Sequence, residues 1–120
     1  MVTNRELIQE AVSVIHPRQS GEFTIGNVGS ALVTDKNNIY RGVCIDTRSS
    51  MGFYAEHNAI GSMITASEYQ IKRIVAVYGD GTGSLYILSP CRRCREFMYQ
   101  INNENIGTGV ILDMERVVPL

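Results

Sequence analysis

The spacing of apolar residues changes several times along the chain and predicts both helices and strands. Leu7, Ile8, Ala11, Val12 and Ile15 recur at helical spacing. Thr3 and Glu6 form a capping box before this run, and Pro17 ends it. The first element is therefore predicted to be an amphipathic helix that buries one apolar face.

Apolar runs further along the chain predict the strands of a sheet. Residues 28–34 and 39–45 read as two strands joined by the polar turn 35–38. The apolar run within residues 71–78 is typical of a strand buried on both faces. The remaining predicted elements are helices at about 55–67 and 91–101, a strand at 109–112 and a short strand at 116–118.

The order of these elements predicts an α/β fold. A strand pair followed by strands that alternate with helices implies a mixed five-stranded sheet with helices on both faces. Residues 85–88 are interpreted as part of the connection into the last helix. With 120 residues, the chain is long enough for one core, so we expect a single domain over residues 1–120.

Composition narrows the possible partners. Eleven basic and twelve acidic side chains give a net charge of −1. The chain therefore has no overall positive charge that would attract a nucleic-acid backbone. No apolar run approaches the length of a membrane span, and the amino-terminal residues lack the apolar stretch of a signal peptide. Three cysteines, an odd number, favour metal or thiol chemistry over a disulfide framework. These features predict a cytoplasmic protein with no nucleic-acid or membrane partner.

Two cysteines at CxxC spacing are the strongest chemical signal. Cys91 and Cys94 follow Pro90 at the start of a predicted helix, where residues three apart share a face. Helix N–H groups and nearby arginines favour their thiolate forms. Two adjacent thiolates are half of a zinc site. A thiol-redox role fits less well, because no thioredoxin-like strand precedes the pair.

The segment Tyr54-Ala55-Glu56-His57 supplies the other half of a known pattern. Zinc deaminases carry H-x-E followed by P-C-x-x-C, and their glutamate works as an acid/base instead of binding the metal. Glu56 matches that glutamate, and Cys91 and Cys94 match the downstream pair in the same order. Taken alone, Glu56 would be read as a solvated glutamate on a helix surface.

The chain resembles the small cytidine deaminase family, including its blasticidin S deaminase relatives. Four ordered stretches carry the likeness, at residues 28–33, 42–46, 55–60 and 90–96. The resemblance implies a three-layer cytidine deaminase-like fold and a Zn²⁺ cofactor. It also implies hydrolytic deamination of a cytosine-type base or nucleoside, such as cytidine, deoxycytidine or a modified analogue. Small members of this family form homo-oligomers, so we expect a tetramer or a dimer.

The sequence departs from the family at the first zinc ligand. Where relatives carry Cys or His, this chain has Tyr54, whose phenol is a weak ligand because its ordinary pKa is about 10. The Tyr54 side chain therefore moves the metal, occupies the position of the metal, or turns aside from the site. Arg92 stands where relatives usually have glycine. His57 is expected to donate to a cysteine sulfur, to bind the metal in place of Tyr54, or to be a structural histidine.

The substrate contacts implied by the resemblance are also altered. Relatives hold the ribose with an Asn-x-Glu stretch, which here is Cys44-Ile45-Asp46. Gly26 stands where many relatives place a phenylalanine that walls the base, so that wall is missing or comes from Phe23 or Phe53. A modified cytosine or a larger aminated heterocycle would fit such a pocket.

Three interpretations of Tyr54 follow. In the first, the chain is a zinc-dependent deaminase with an altered site. In the second, it is a non-catalytic descendant that keeps the fold and the CxxC as a structural or ligand-binding module. In the third, Tyr54 is an introduced change in a competent enzyme. The neighbouring residues 55–60 still match the family, which favours an altered or recently altered enzyme over the gradual loss of a site.

Overall fold

The computed structural model describes residues 1–21, 23–46, 54–79, 83–90, 92–113 and 116–120. Within them lie helices on both faces of a mixed sheet. The helices are α1 (Asn4–Ser13), α2 (Ala55–Thr65), α3 (Arg92–Ile101) and a 3₁₀ helix (Asn103–Gly107). The strands are β1 (Arg18–Ser20), β2 (Phe23–Ile25), β3 (Val28–Thr34), β4 (Ile39–Val43), β5 (Ile71–Gly79), β6 (Leu85–Leu88), β7 (Gly109–Ile111) and β8 (Val117–Pro119).

The main sheet has six strands, one more than predicted. Its order is β4-β3-β5-β7-β8, and β6 also pairs with β5. The β5–β7 pair is parallel and the other pairs are antiparallel, so the predicted mixed α/β class is confirmed. The extra strand is β6, which we interpreted as a connection because a four-residue apolar run has little periodicity. The hairpin β1–β2 was not predicted either.

Alternate residues of β3 face two different layers, as the pleat of a strand requires. Leu32 packs in a cluster with residues of α2 and α3. Its neighbours Ala31 and Val33 pack in a second cluster with residues of α1. The helices therefore cover both faces as predicted, with α1 on one face and α2 and α3 on the other.

The start of α1 has the predicted capping box. The Glu6 backbone N–H donates to the Thr3 hydroxyl at 3.1 Å, and the Thr3 backbone N–H donates to the Glu6 carboxylate at 3.4 Å. The helix ends at Ser13, one turn before Pro17. None of the described helices is long and apolar enough to cross a bilayer.

Helix α2 lies unusually close to β4 at Gly42. A Cβ on Gly42 would lie only 2.4 Å from the Ala59 backbone nitrogen and 2.7 Å from the Asn58 Cβ. The Asn58 amide also donates to the Val43 carbonyl at 3.2 Å. These contacts fix the height and the direction of the first two turns of α2 over the sheet.

We expect Gly42→Ala to destabilise the fold by about 1–3 kcal/mol, because the new methyl group meets backbone that cannot move aside cheaply. Gly61→Ala is the matched control in the same region, since no heavy atom lies within 4 Å of its added Cβ. It should stabilise α2 by about 0.5–1 kcal/mol. Urea unfolding of both variants measures the difference, and equal midpoints would contradict the close approach.

The carboxyl-terminal end of α2 is tied to the β3–β4 turn by Glu68. Its side chain is buried and accepts hydrogen bonds from the Tyr40 hydroxyl and, at 2.9 Å, from the Asn38 amide. The Tyr40 hydroxyl and then the Thr34 hydroxyl hold the pKa of Glu68 below its usual value, against the opposing effect of burial. Both ends of α2 are thus fixed to the same strand pair.

Candidate active site

The sheet surface beneath the first turn of α2 is made of small side chains. Gly42, Ser30 and Ala76 are register partners across β4, β3 and β5. They lie on the same face as Leu32, which packs against α2 and α3. Because these residues are small, the first turn of α2 sits low over the sheet and its side chains are shielded from water.

Glu56 occupies that shielded first turn. The side chain is 7% exposed although it is a carboxylate. Burial raises the pKa of Glu56, and a hydrogen bond from the backbone offsets the rise only in part. A raised pKa moves the carboxyl group toward neutral pH, which favours its use as a general acid/base.

His57 follows Glu56 and lies between two aromatic rings. Its ring centroid is 5.6 Å from that of Tyr54 in a stacked arrangement and 4.7 Å from that of Phe97 in an edge arrangement. Burial and then the charge of Arg93 lower the pKa of His57, which favours the neutral imidazole. Its Nδ1 is buried and has no hydrogen-bond partner among the described residues. An orphaned nitrogen of a neutral imidazole is suited to bind a metal or a donor group.

Tyr54 is the residue immediately before α2. Its side chain makes no capping hydrogen bond and is 49% exposed. With its ring stacked on His57, the phenol is accommodated at the surface without displacing Glu56 from its buried position. This placement supports the interpretation in which Tyr54 turns aside.

The CxxC helix faces the same region. Cys94 is 1% exposed and packs in the cluster that contains Ala59 and Ile60 of α2. Cys91, its predicted partner, lies outside the described residues. In the described part of the chain, no three His, Cys, Asp or Glu side chains are grouped so that they could hold a metal.

The residues present nevertheless suit zinc chemically. Cys94 is a buried thiol in the first turn of α3, where helix N–H groups favour a thiolate. The neutral imidazole of His57 with its orphaned Nδ1 is the kind of nitrogen donor that zinc takes. The donor set of sulfur and imidazole nitrogen therefore fits the ion that the CxxC predicts.

The end of β4 carries the predicted substrate contacts. Cys44 is 5% exposed, and its thiol donates to the Asn27 side-chain oxygen at 3.0 Å. Asp46 is exposed two residues later. Phe53 and the side chain of Phe23 lie outside what the structure describes. Asn27 could not be singled out from the sequence, because a lone asparagine between two strands is usually a turn residue.

A cavity of about 570 Å³ opens between α2 and α3. Its lining includes His57, Asn58, Arg93 and Phe97 but not Glu56. Since Glu56 and His57 are consecutive on a helix, their side chains leave it in different directions. The cavity therefore lies beside the buried glutamate, on the outer side of the helix pair.

Comparisons with known proteins identify the family. The sequence profile of the cytidine and deoxycytidylate deaminase zinc-binding region matches residues 1–110. None of the curated proteins compared with the sequence matches it significantly.

Solved cytidine deaminases share the fold. A mutant enzyme from Mycobacterium tuberculosis is similar with a TM-score of 0.80 and 18% identity, covering 99% of this chain and 92% of that one. The enzyme from Burkholderia pseudomallei has a TM-score of 0.77 and 23% identity, covering 98% and 93%. The enzyme from Bacillus anthracis has a TM-score of 0.71 and 16% identity, covering 97% and 82%.

Proposed function

Because the chain belongs to the cytidine and deoxycytidylate deaminase family, we propose that it is a zinc-dependent enzyme that deaminates a cytosine-type base or nucleoside. The family makes it an aminohydrolase of cytidine-type substrates. The observation that carries the proposal is Glu56, a carboxylate 7% exposed at the start of α2 with a raised pKa, on the helix that packs against Cys94 of the CxxC. Burying a carboxylate costs free energy, so the buried position of Glu56 supports a chemical role.

Glu56 performs the proton transfers in this proposal. Water adds to the ring carbon that bears the amino group, the carbon–nitrogen bond breaks, and ammonia leaves as the ring carbonyl forms. Glu56 takes one proton of the attacking water and delivers it to the ring nitrogen, and it then takes the second proton from the new hydroxyl group on the carbon and delivers it to the leaving nitrogen. The raised pKa suits a group that must act as base first and as acid afterwards.

Zinc would be held by Cys91 and Cys94, with a third position at Tyr54 or His57. When bound, zinc supplies Lewis-acid activation of water at neutral pH. His57, whose Nδ1 has no partner among the described residues, either binds the ion directly or donates to a cysteine sulfur. Its low pKa keeps the imidazole neutral in either role.

The sugar or another polar group of the substrate would meet the end of β4. Asp46 can accept a hydrogen bond from a hydroxyl, and the Cys44 thiol is occupied by Asn27 at 3.0 Å. Because the Asn27 oxygen accepts that thiol proton, the Asn27 amide N–H groups are the remaining donors of the pair. We therefore add Asn27 to Cys44 and Asp46 as a substrate contact.

A second candidate is a protein of this fold with impaired or absent catalysis. The half-exposed, stacked position of Tyr54 favours it, since a phenol turned toward the surface leaves the two thiolates of the CxxC without a ligand at the position where the family has its first one. Both candidates share the fold and the CxxC, and metal content together with turnover separates them.

Zinc content and ammonia release test the proposal together. We expect protein prepared without chelators to contain close to one zinc per chain, and Cys91→Ala and Cys94→Ala to lose it, since each removes a thiolate. Cys44→Ala is the matched control, because Cys44 already donates to Asn27 and should leave zinc content unchanged.

Ammonia release is then measured with cytidine, deoxycytidine and cytosine. Release with one of them supports the enzyme. Zinc-loaded protein that releases no ammonia from any of them would favour the non-catalytic candidate. Protein that takes up no zinc, with or without the substitutions, would refute the metal assignment.

A further inference from the structure

The His57 imidazole lies at the wall of an open cavity, yet one of its nitrogens is turned away from water. The ring is among the side chains that line the cavity of about 570 Å³ between α2 and α3. Its Nδ1 is nevertheless buried and has no hydrogen-bond partner among the described residues. A buried nitrogen without a partner costs free energy, so a ring that could turn freely would expose Nδ1 to the cavity. Neighbouring side chains must therefore hold the ring.

Phe97 of α3 is the nearer of the two rings that flank His57. Its centroid is 4.7 Å from that of the imidazole, with 62° between the planes, whereas the Tyr54 centroid is 5.6 Å away. The Phe97 contact is near the short limit for aromatic pairs, so an imidazole that turned about its Cβ–Cγ bond would press against the Phe97 ring. Tyr54 belongs to the same segment as His57, but Phe97 comes from the opposite helix. The orientation of the imidazole relative to α3 therefore depends on Phe97.

Phe97 also places the imidazole beside the CxxC turn of α3. Phe97 comes three residues after Cys94, so their side chains are neighbours on one helix surface. A helical side chain points back toward the amino terminus of its helix, so the Phe97 ring lies over the turn that contains Arg93 and Cys94. Burial and then the charge of Arg93 lower the pKa of His57, as expected for an imidazole near that turn. The ring contact thus brings His57 to the turn that carries the thiol.

Phe97 is not a residue that fills the core. Cys94 and Met98 on the same helix are 1% and 0% exposed and belong to the cluster beneath α2 and α3. Phe97 is 38% exposed and lies outside that cluster, at the wall of the cavity. Its ring contact within the described residues is with His57. The exposed position of such a large ring is therefore explained by its contact with His57 better than by packing of the core.

We propose that Phe97 is a positioning residue that keeps the His57 imidazole turned inward, so that its buried Nδ1 is available to the zinc site. This inference rests on the proposed function, since it assigns Nδ1 to the metal or to a cysteine sulfur. Phe97 acts only through His57 and contacts neither the ion nor the substrate. Holding the ring in advance removes part of the ordering that zinc binding would otherwise require, so Phe97 should tighten zinc binding.

The test is the zinc Kd of the full chain, measured by competition with a chromophoric chelator. We expect Phe97→Ala to raise the Kd about tenfold, as for loss of a group that orients a metal ligand. Phe97→Tyr should keep the Kd close to the wild-type value, because the ring remains and the added hydroxyl has room in the cavity. Tyr99→Ala is the matched control and should also leave the Kd unchanged. Tyr99 is 40% exposed and, two residues further along α3, projects from another side of the helix.

A double-mutant cycle with His57 separates positioning from packing. In the His57→Ala background, Phe97→Ala should leave the zinc Kd unchanged, because the ring that it positions is gone. An equal loss of affinity in both backgrounds would show that Phe97 acts by packing alone, and it would overturn the inference.

The outcomes also separate this inference from the proposed function. A wild-type chain that binds zinc with the same Kd as Phe97→Ala would overturn the inference alone. A wild-type chain that takes up no zinc would overturn the proposed function and this inference together. Because Phe97 is 38% exposed, its replacement opens no cavity in the core, and circular dichroism confirms that each variant is folded.

Discussion

Glu56→Gln should lower the turnover of a cytosine-type substrate by at least about a hundredfold and leave zinc content unchanged. The substitution keeps the size of the side chain but removes the carboxylate, which takes up and releases the proton in general acid/base catalysis. Because Glu56 is not expected to bind the metal, its loss should affect turnover and not zinc occupancy. Initial rates of ammonia release and elemental analysis measure the two effects.

Stability should move in the opposite direction to activity. Burial raises the pKa of Glu56 in the folded protein above its ordinary value, so the ionised form is costly to bury. That cost is present above the folded pKa and disappears as the pH falls below the unfolded value. Glu56→Gln removes it, and the free energy of unfolding at neutral pH should rise. If Glu56 had only a structural role, its replacement would instead lower the free energy of unfolding.

Glu68→Gln is the matched control for Glu56→Gln. Glu68 is 6% exposed and lies just beyond the other end of the same helix, but the Tyr40 and Thr34 hydroxyls lower its pKa. Its contribution to stability is present above the unfolded pKa and is lost as pH falls through the folded pKa. Glu68→Gln should therefore cost stability at neutral pH and leave turnover per folded molecule unchanged. Near-normal turnover in Glu56→Gln would refute its proposed role.

The sequence predicted the elements that have strong periodicity or clear boundaries. Residues 28–34 form β3 as predicted, because this run of mainly small and apolar residues ends at the polar turn 35–38. The strand Leu85–Leu88 was missed because it is short and its hydrogen bonds come from β5, which no local pattern shows. The partial burial of Tyr78 and its stacking on Tyr86 depend on the same pairing and were equally invisible.

The candidate site was predictable where a motif fixed it and not where contacts between distant segments decide it. Glu56, His57 and Tyr54 are brought together by one helix start, so their proximity followed from the sequence. The contact between Cys44 and Asn27 joins residues 17 apart and needed the structure. The close approach of His16 to Gly26, where an added Cβ would lie 2.6 Å from the His16 carbonyl oxygen, likewise joins two different segments.

The final expectation concerns Tyr54, where the chain departs from its family. We expect Tyr54→Cys to bind zinc more tightly and to turn over substrate faster than the wild type. A catalytic zinc site needs three protein ligands and an open position, and the CxxC supplies two. Tyr54 immediately precedes α2, so a cysteine there lies at a helix start that favours its thiolate. The half-exposed tyrosine leaves no cavity in the core when it is replaced.

Two control variants decide what the present tyrosine does. Tyr54→Phe keeps the ring that stacks on His57 and removes only the phenol oxygen, so it should leave zinc affinity unchanged if Tyr54 turns aside. Tyr69→Cys places a new thiol at an equally exposed tyrosine just beyond the other end of α2 and should not tighten zinc binding. If Tyr54→Phe loses zinc and Tyr54→Cys gains nothing, the phenol oxygen itself serves the site, and the weakened metal centre proposed here would be wrong. If only Tyr54→Cys gains affinity and turnover, the missing third ligand accounts for the departure, because the thiolate restores the donor while Glu56 remains in place.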